Sequence, residues 1–350
     1  MHRGLRAAVP ALLLTALATP ALAAAPPAAH DLCAPTDPSL AELSGLATDG
    51  RRWFAVSDGG TSLRVLVLNP ADCTVLDQIT AEVNPYDVED LALAPDGALW
   101  LADTGDNDLD RRTVALHRLT LDGDARLYRL TYPDGPHDAE ALLLDRAGVP
   151  YLVTKELGAA RVYRPAGALT EAGPTPLELA ATVRIKQTDT PGGLVGQVGS
   201  VLVTGGAVSA DGEVVALRTY TDAYLFRAPG GDVLAALASS PVRIPLPDEP
   251  QGEALALAPD GTLLSASEEH SASEGPSGSE GGVPVRAVPG ATALLAPPAP
   301  VAEEAPDVPG DGQAAVETAG RMVAPWQTAA VVGCLVAVLA WVVRRRRRVR

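Results

Sequence analysis

The sequence predicts an all-β protein of the β-propeller class, with five to six blades occupying residues 31–290. Three observations carry this expectation. An Asp-Gly turn between two apolar runs recurs along the chain, and glycine supplies the positive φ that such hairpin turns need. The step from an acid or hydroxyl to the turn glycine is eight residues in most copies. The 33 glycines and 31 prolines, with aromatic residues at only 4%, favour short strands and turns over long helices.

The chain opens with a basic stretch, Met1 to Arg6, and an apolar run from Ala7 to Leu22 ending in small residues. Residues 1–25 therefore read as a secretory signal peptide. Cys33 and Cys73 are the cysteines outside the C-terminal apolar run. In an oxidising compartment they are expected to pair, closing a loop worth about 4 kcal/mol in the chain-entropy model.

Five units follow. The first runs from Glu42 through Ser44, turns at Asp49-Gly50 and ends at Asp58. The second, Asn84 to Arg112, is the fullest: Asp87 and Glu89 open an apolar run, Asp96-Gly97 turns it, and an acid-rich loop with Asp103, Asp106, Asn107, Asp108 and Asp110 closes it. The third carries Asp138 and Glu140, turns near Gly148 and ends at Lys155-Glu156. The fourth carries Thr204, turns at Asp211-Gly212 and ends at Arg218-Thr219-Tyr220. The fifth carries Gln251 and Glu253, turns at Asp260-Gly261 and ends at Glu268-Glu269. One or two further strand-like runs follow most hairpins, giving four antiparallel strands per unit, the pattern of propeller blades. A sixth, degenerate blade built from the termini stays open, and His270 to Gly282 reads as a loop inside the last unit.

Residues 291–324, rich in Ala, Pro, Glu and Gly, read as a disordered stalk. Residues 325–343 read as a transmembrane helix, because Trp326 to Val343 carries no charge and spans about 27 Å at ~1.5 Å per residue. The arginines within 344–350 mark a cytoplasmic tail, so the expected location is the cell membrane, with a single span and the body outside. Setting aside Arg3, Arg6 and the six arginines of the tail leaves 19 basic residues against 43 acids, a net charge of −24. Such a body repels nucleic acid and favours cations or neutral ligands.

In a propeller the first strand of each blade lines the central channel. The start of that strand and the end of the second lie at the same edge, so the repeat positions converge. Ser44, Glu89, Glu140, Thr204 and Glu253 are expected to ring the mouth, with Asp87, Asp138 and Gln251 beside them and Asp58, Asp103, Asp106, Asn107, Lys155, Arg218 and Glu268 at the rim. Trp53, Trp100 and Tyr151 fall at equivalent second-strand positions, which assigns them to the core between blades.

The segments Asp87-Val-Glu-Asp-Leu-Ala, Asp103-Thr-Gly-Asp-Asn, Asp138-Ala-Glu-Ala-Leu, Val153-Thr-Lys, Arg218-Thr-Tyr and Gly252-Glu-Ala resemble a group of exported bacterial propellers akin to the esterase-like phytase and NHL-type families. The resemblance covers about residues 40 to 290 and implies fold and placement. More distantly the chain resembles gluconolactonase-type propellers, which hold a catalytic divalent metal at the channel mouth. That resemblance implies metal-holding parts for Glu89, Glu140, Asn107 and Asp103.

Glutamates converging on one channel repel one another, so a cation, interleaved basic groups or protonation must offset them. Calcium suits such a site, being bound by carboxylate and carbonyl oxygens. The metal-ligand candidates are Glu89, Glu140, Glu253, Asp103, Asp106 and Asn107, and the ligand-binding candidates are Asp87, Asp138, Lys155, Arg218 and Glu268. Lys155 and Arg218 supply a competing structural account, a ring of ion pairs, and a solvated channel with neither is a third. The chain has no Gly-x-Ser-x-Gly and no cysteine nucleophile in its body. The expected function is a binding or scaffolding module for a small molecule or cell-envelope component, without nucleic acid. The alternative is a metal-dependent hydrolase of lactonase or phosphoesterase type, with His137 or Asp103 taking the proton from water.

Overall fold

The computed structural model describes residues 27–58, 60–269 and 282–295. The expected signal peptide, most of the stalk, the transmembrane helix, the tail and the loop at 270–281 lie outside the described residues. Among the described residues no helix is long and apolar enough to cross a membrane.

The strands are β1 (His30–Cys33), β2 (Leu43–Thr48), β3 (Trp53–Ser57), β4 (Leu63–Leu68), β5 (Val75–Ala81), β6 (Val88–Leu93), β7 (Leu99–Asp103), β8 (Val114–Leu119), β9 (Ala125–Thr131) and β10 (Ala139–Leu144). They continue as β11 (Pro150–Thr154), β12 (Ala160–Pro165), β13 (Thr175–Val183), β14 (Val203–Val208), β15 (Val214–Thr219), β16 (Asp222–Arg227), β17 (Val242–Pro245), β18 (Gln251–Leu257), β19 (Leu263–Glu268) and β20 (Val285–Val288). A short helix, α1 (Val233–Leu237), interrupts the path from β16 to β17.

Antiparallel meanders β2–β5 and β14–β17 form separate sheets. The meanders β6–β9 and β10–β13 are joined along their outer edges, where Thr175 and Pro176 of β13 run parallel to Leu130 and Thr131 of β9. The last sheet is ordered β18-β19-β20-β1, so the N-terminal strand completes it. The innermost strands pack in a closed cycle: β2 on β6, β6 on β10, β10 on β14, β14 on β18, and β18 back on β2. The fold is thus all-β and propeller-like.

The inner hairpins form as the turn residues dictate. Gly50, Gly97, Gly148, Gly212 and Gly261 all hold φ between +71° and +84°, the left-handed region that glycine enters without steric cost. Between each pair of neighbouring sheets lies an apolar layer. Phe54, Leu63, Leu91 and Leu101 fill one such layer, and Trp100, Leu116, Leu142 and Tyr163 the next. Trp53, Trp100 and Tyr151 all lie in these layers.

Cys33 and Cys73 form a disulfide that ties β1, in the last sheet, to the β4–β5 turn of the first. Residues Ala291–Leu295, expected to open the stalk, instead make a 3-10 turn docked on the body. Ala291 is fully buried in it, and Arg227 donates to the Leu295 carbonyl at 3.0 Å.

Candidate functional site

Each innermost strand carries a β-bulge at its second or third residue. The pairings skip Ser44 in β2, Glu89 in β6, Glu140 in β10, Thr204 in β14 and Glu253 in β18. The repeat position is therefore the extra residue of the bulge in every unit, and a bulge re-aims the side chain it inserts. All five are buried. The two hydroxyls turn sideways and bind the neighbouring innermost strand, Ser44 to the Val88 carbonyl at 3.0 Å and Thr204 to the Gly252 carbonyl at 2.8 Å. The glutamates remain to face one another.

Glu89, Asp138 and Glu140 bring carboxylate oxygens within 4.8 Å of one another. Lys155, from the end of β11, ion-pairs with Glu140 and reaches Asp138 at 3.4 Å. Across the mouth, Gln251 donates to Glu253 at 2.9 Å and also to Glu268. Asp87 completes the set: a side-chain carbon added at Gly105 would strike the carboxyls of both Glu89 and Asp87.

The electrostatics follow from burial and crowding. Burial pushes the Glu89 carboxyl well above its usual range, and the charges of Glu140 and Asp87 push the same way. Burial raises Glu140 to about 8 against the opposing pull of Lys155. Glu253 rises through burial and the neighbouring Glu268. Burial works to lower Lys155, but the charges of Glu140, Tyr220 and Asp138 hold it well above the ordinary lysine value. The Lys155–Glu140 ion pair sits within a cluster that has more carboxyls than its ammonium can balance.

The remaining predicted residues have other employment. The Asp103 carboxylate accepts from the backbone N–H groups of Tyr86 and Asp87, both at 3.0 Å, from Arg111 at 2.8 Å, and from His117 Nε2 at 3.1 Å. Burial alone would raise Asp103, but His117 and Arg111 bring it below its usual range. Asp106 shapes its own loop, accepting from the Asp110 and Arg111 N–H groups, while its backbone N–H donates to Asp138 at 2.8 Å. Asn107 is exposed.

His137 has both ring nitrogens occupied, Nδ1 by Glu156 at 2.9 Å and Nε2 by Asp134 at 3.0 Å. Arg218, expected at the rim, is 0% exposed. It donates to Glu249 at 2.7 Å, to Ser265 Oγ at 2.7 Å and to the carbonyls of Ala254 and Ala266.

Two residues of the site were not singled out by sequence. Asp90, 0% exposed, follows the bulged Glu89 in β6. It accepts the N–H of Leu91 at 2.8 Å, of Leu142 in β10 at 2.7 Å and of Gly206 in β14 at 3.1 Å. The corresponding residues of the other inner strands are Gly45, Ala141, Gly205 and Ala254, so Asp90 alone reaches across the ring. An acid directly after Glu89, breaking the alternation of a strand, was its signal. Tyr220, 6% exposed, senses the charges of Lys155, Glu253, Glu140 and Glu268. Beyond Asp90, toward the Asp-Gly turns, the channel opens into a different cavity of about 210 Å³ lined by Leu46, Leu91, Leu93, Leu144, Val208 and Leu257.

No protein-family model matches the chain, and no curated protein matches its sequence. Among solved structures it is similar to the PQQ-bound aldose sugar dehydrogenase of Streptomyces coelicolor, at 11% identity and a TM-score of 0.40, over 75% of this chain and 99% of that one. It is similar to a gluconolactonase from Xanthomonas campestris, at 16% identity and 0.40, over 76% and 95%. A calcium-binding protein, regucalcin, from Agrobacterium tumefaciens gives 16% and 0.38, over 70% and 74%. At these identities and scores the likeness says nothing of the chemistry at the mouth.

Proposed function

We propose that this chain is a membrane-anchored extracytoplasmic binding module, a five-bladed propeller whose acidic mouth takes up a divalent cation and, through it, a small or anionic ligand. The observation that carries this reading is the meeting of Glu89, Asp138 and Glu140 oxygens within 4.8 Å. Oxygen-only donors of this kind suit calcium. Glu89, Asp138 and Glu140 would hold the cation, which would supply the positive charge that Lys155 now gives Glu140 and Asp138. The Cys33–Cys73 disulfide accords with an oxidising compartment. Binding is favoured over hydrolysis because His137 and Asp103, the candidate proton acceptors, are held by other side chains.

The test is a thermal melt of the full-length chain at pH 8 in EDTA and in excess calcium, followed by an ester, lactone and phosphate panel. A cation at about 100 times its Kd adds roughly 2.7 kcal/mol, visible as a rise of several degrees that Glu140→Gln removes. Absence of any calcium-dependent rise overturns the cation reading. Turnover abolished by Glu140→Gln would replace the binding module with the hydrolase.

A further inference from the structure

Four of the nine exposed large apolar side chains among the described residues lie at one end of the molecule. Tyr86, Leu109, Leu157 and Leu194 are 63, 56, 49 and 37% exposed. They sit on the β5–β6, β7–β8, β11–β12 and β13–β14 connections, all of which open at the acidic mouth. The hairpins at the other end of the innermost strands carry none among the described residues; of the remaining five, Leu121 lies on the β8–β9 hairpin and Leu32, Val75, Leu76 and Leu179 on the outer strands β1, β5 and β13.

Tyr86, Leu109 and Leu157 lie close in the chain to a residue of the acidic mouth. Tyr86 precedes Asp87, and its ring lies under the Arg111 guanidinium at 4.4 Å. Leu109 is held by its N–H on the Asp106 carbonyl at 2.8 Å, in a left-handed conformation with φ of 52°. A branched residue adopts that region only when its surroundings impose it, and such strain gathers at binding sites. Leu157 follows Lys155 by two residues. Leu194 adjoins Gly193, whose hydrogen bond to the Glu249 carbonyl at 2.8 Å holds that segment across Tyr220 and Thr221.

We propose that this face docks a protein segment that presents a lysine or arginine side chain to the acidic well, with apolar neighbours of that residue seated on Tyr86, Leu109, Leu157 and Leu194. A buried charged centre inside an apolar, water-excluding ring is the arrangement that concentrates binding energy at protein interfaces. The well supplies complementary carboxyls, since Asp138 and Glu140 hold the Lys155 ammonium with Glu89 and Glu253 near it, and the buried acids that now hold protons can release them to an incoming cation. The span supplies the class of partner. Packed sheets lie about 10 Å apart, so loops two sheets apart are separated by roughly 15–20 Å, more than one small molecule covers. The hydrogen bonds at Leu109 and Gly193 order the loops that carry Leu109 and Leu194, which limits the entropy lost there on docking.

The inference uses the same carboxyl cluster as the proposed cation site but needs no metal, so the test is run in EDTA. The probe is the capped pentapeptide Gly-Leu-Lys-Leu-Gly, titrated into the full-length chain by calorimetry beside a twin with norleucine for lysine. The expected result is saturable binding of the lysine peptide, at least tenfold weaker for the twin. The exposed-site double variant Leu157→Ser/Leu194→Ser should also bind at least tenfold more weakly with an unchanged melting temperature. No binding, equal binding of the twin, or an unaffected double variant overturns the inference. Calcium stabilisation without peptide binding sinks this inference alone, and peptide binding without calcium stabilisation sinks only the cation reading.

Discussion

Arg218 donates to Glu249 at 2.7 Å with both side chains shut away from water. The same guanidinium reaches Ser265 and the Ala254 and Ala266 carbonyls, so it fastens the β14–β17 sheet to the last one. Removing one partner of a buried pair leaves an uncompensated charge, at a cost of about 3–5 kcal/mol. Arg218→Met is expected to lower the unfolding free energy by that amount, seen as a lower urea midpoint with little change in m-value. A variant as stable as the parent would remove Arg218 from this role.

The raised carboxyls make stability depend on pH. The native chain holds a proton on Glu140 that the unfolded chain releases near the ordinary value of 4.5. This contribution is therefore full below about pH 4.5 and lost as the pH climbs toward 8, and the upward shifts of Glu89 and Glu253 act in the same sense. Asp103, shifted downward, acts oppositely and its contribution is lost below its usual range. Urea melts in EDTA should show stability falling from pH 5 to pH 8 by at least about 3 kcal/mol. Glu140→Gln should flatten that slope, and an unchanged slope in the variant would refute the assignment.

Calcium should reverse the trend. A cation competes with protons for the same oxygens, so its stabilisation should grow between pH 5.5 and 8. Equal calcium shifts at both pH values would point to binding away from Glu89, Asp138 and Glu140.

Gly105 is where the acid-rich loop touches the well. A methyl group there meets the Glu89 and Asp87 carboxyls, so Gly105→Ala should displace them and abolish the calcium shift. The loop can yield, so the stability cost should stay near 1–3 kcal/mol. Retained calcium stabilisation would show that Glu89 is not needed for it.

Reducing Cys33–Cys73 removes a link across 40 residues, worth about 4 kcal/mol in the chain-entropy model. Melts of the Cys33→Ser/Cys73→Ser double variant should show that loss. A change below 1 kcal/mol would mean that β1 is held by its ladder with β20 alone.

The eight-residue step located four of the bulged positions because a fixed turn fixes the register of the strand leading into it, and the shorter first unit was aligned on its turn. The disulfide was legible for a simpler reason, since the body offers one pair. Arg218 was not legible. By register it matches Val153 of the third unit, while Tyr220 matches Lys155, and its side chain turns into the core because Gly252 of the neighbouring sheet makes room for the guanidinium. Spacing within one strand carries no information about a glycine on the next. His137 misled for a related reason: its distance in sequence from Glu140 was short, but Asp134 and Glu156 hold the ring. Asp90 was hidden because two of its three donors, Leu142 of β10 and Gly206 of β14, become its partners only once the ring has closed.

The pairing of β1 with β20 sets an order on synthesis. His30–Cys33 leaves the ribosome early, yet its ladder partner Val285–Val288 follows about 250 residues later, a delay of roughly 10–50 s at the usual rate of elongation. Cys73 emerges soon after Cys33, so oxidation can moor the leading strand to the first hairpins while the final segment is still awaited. The covalent bond then acts as a temporal placeholder, keeping an unpaired edge close to its destination until the last strand arrives to lock the circle.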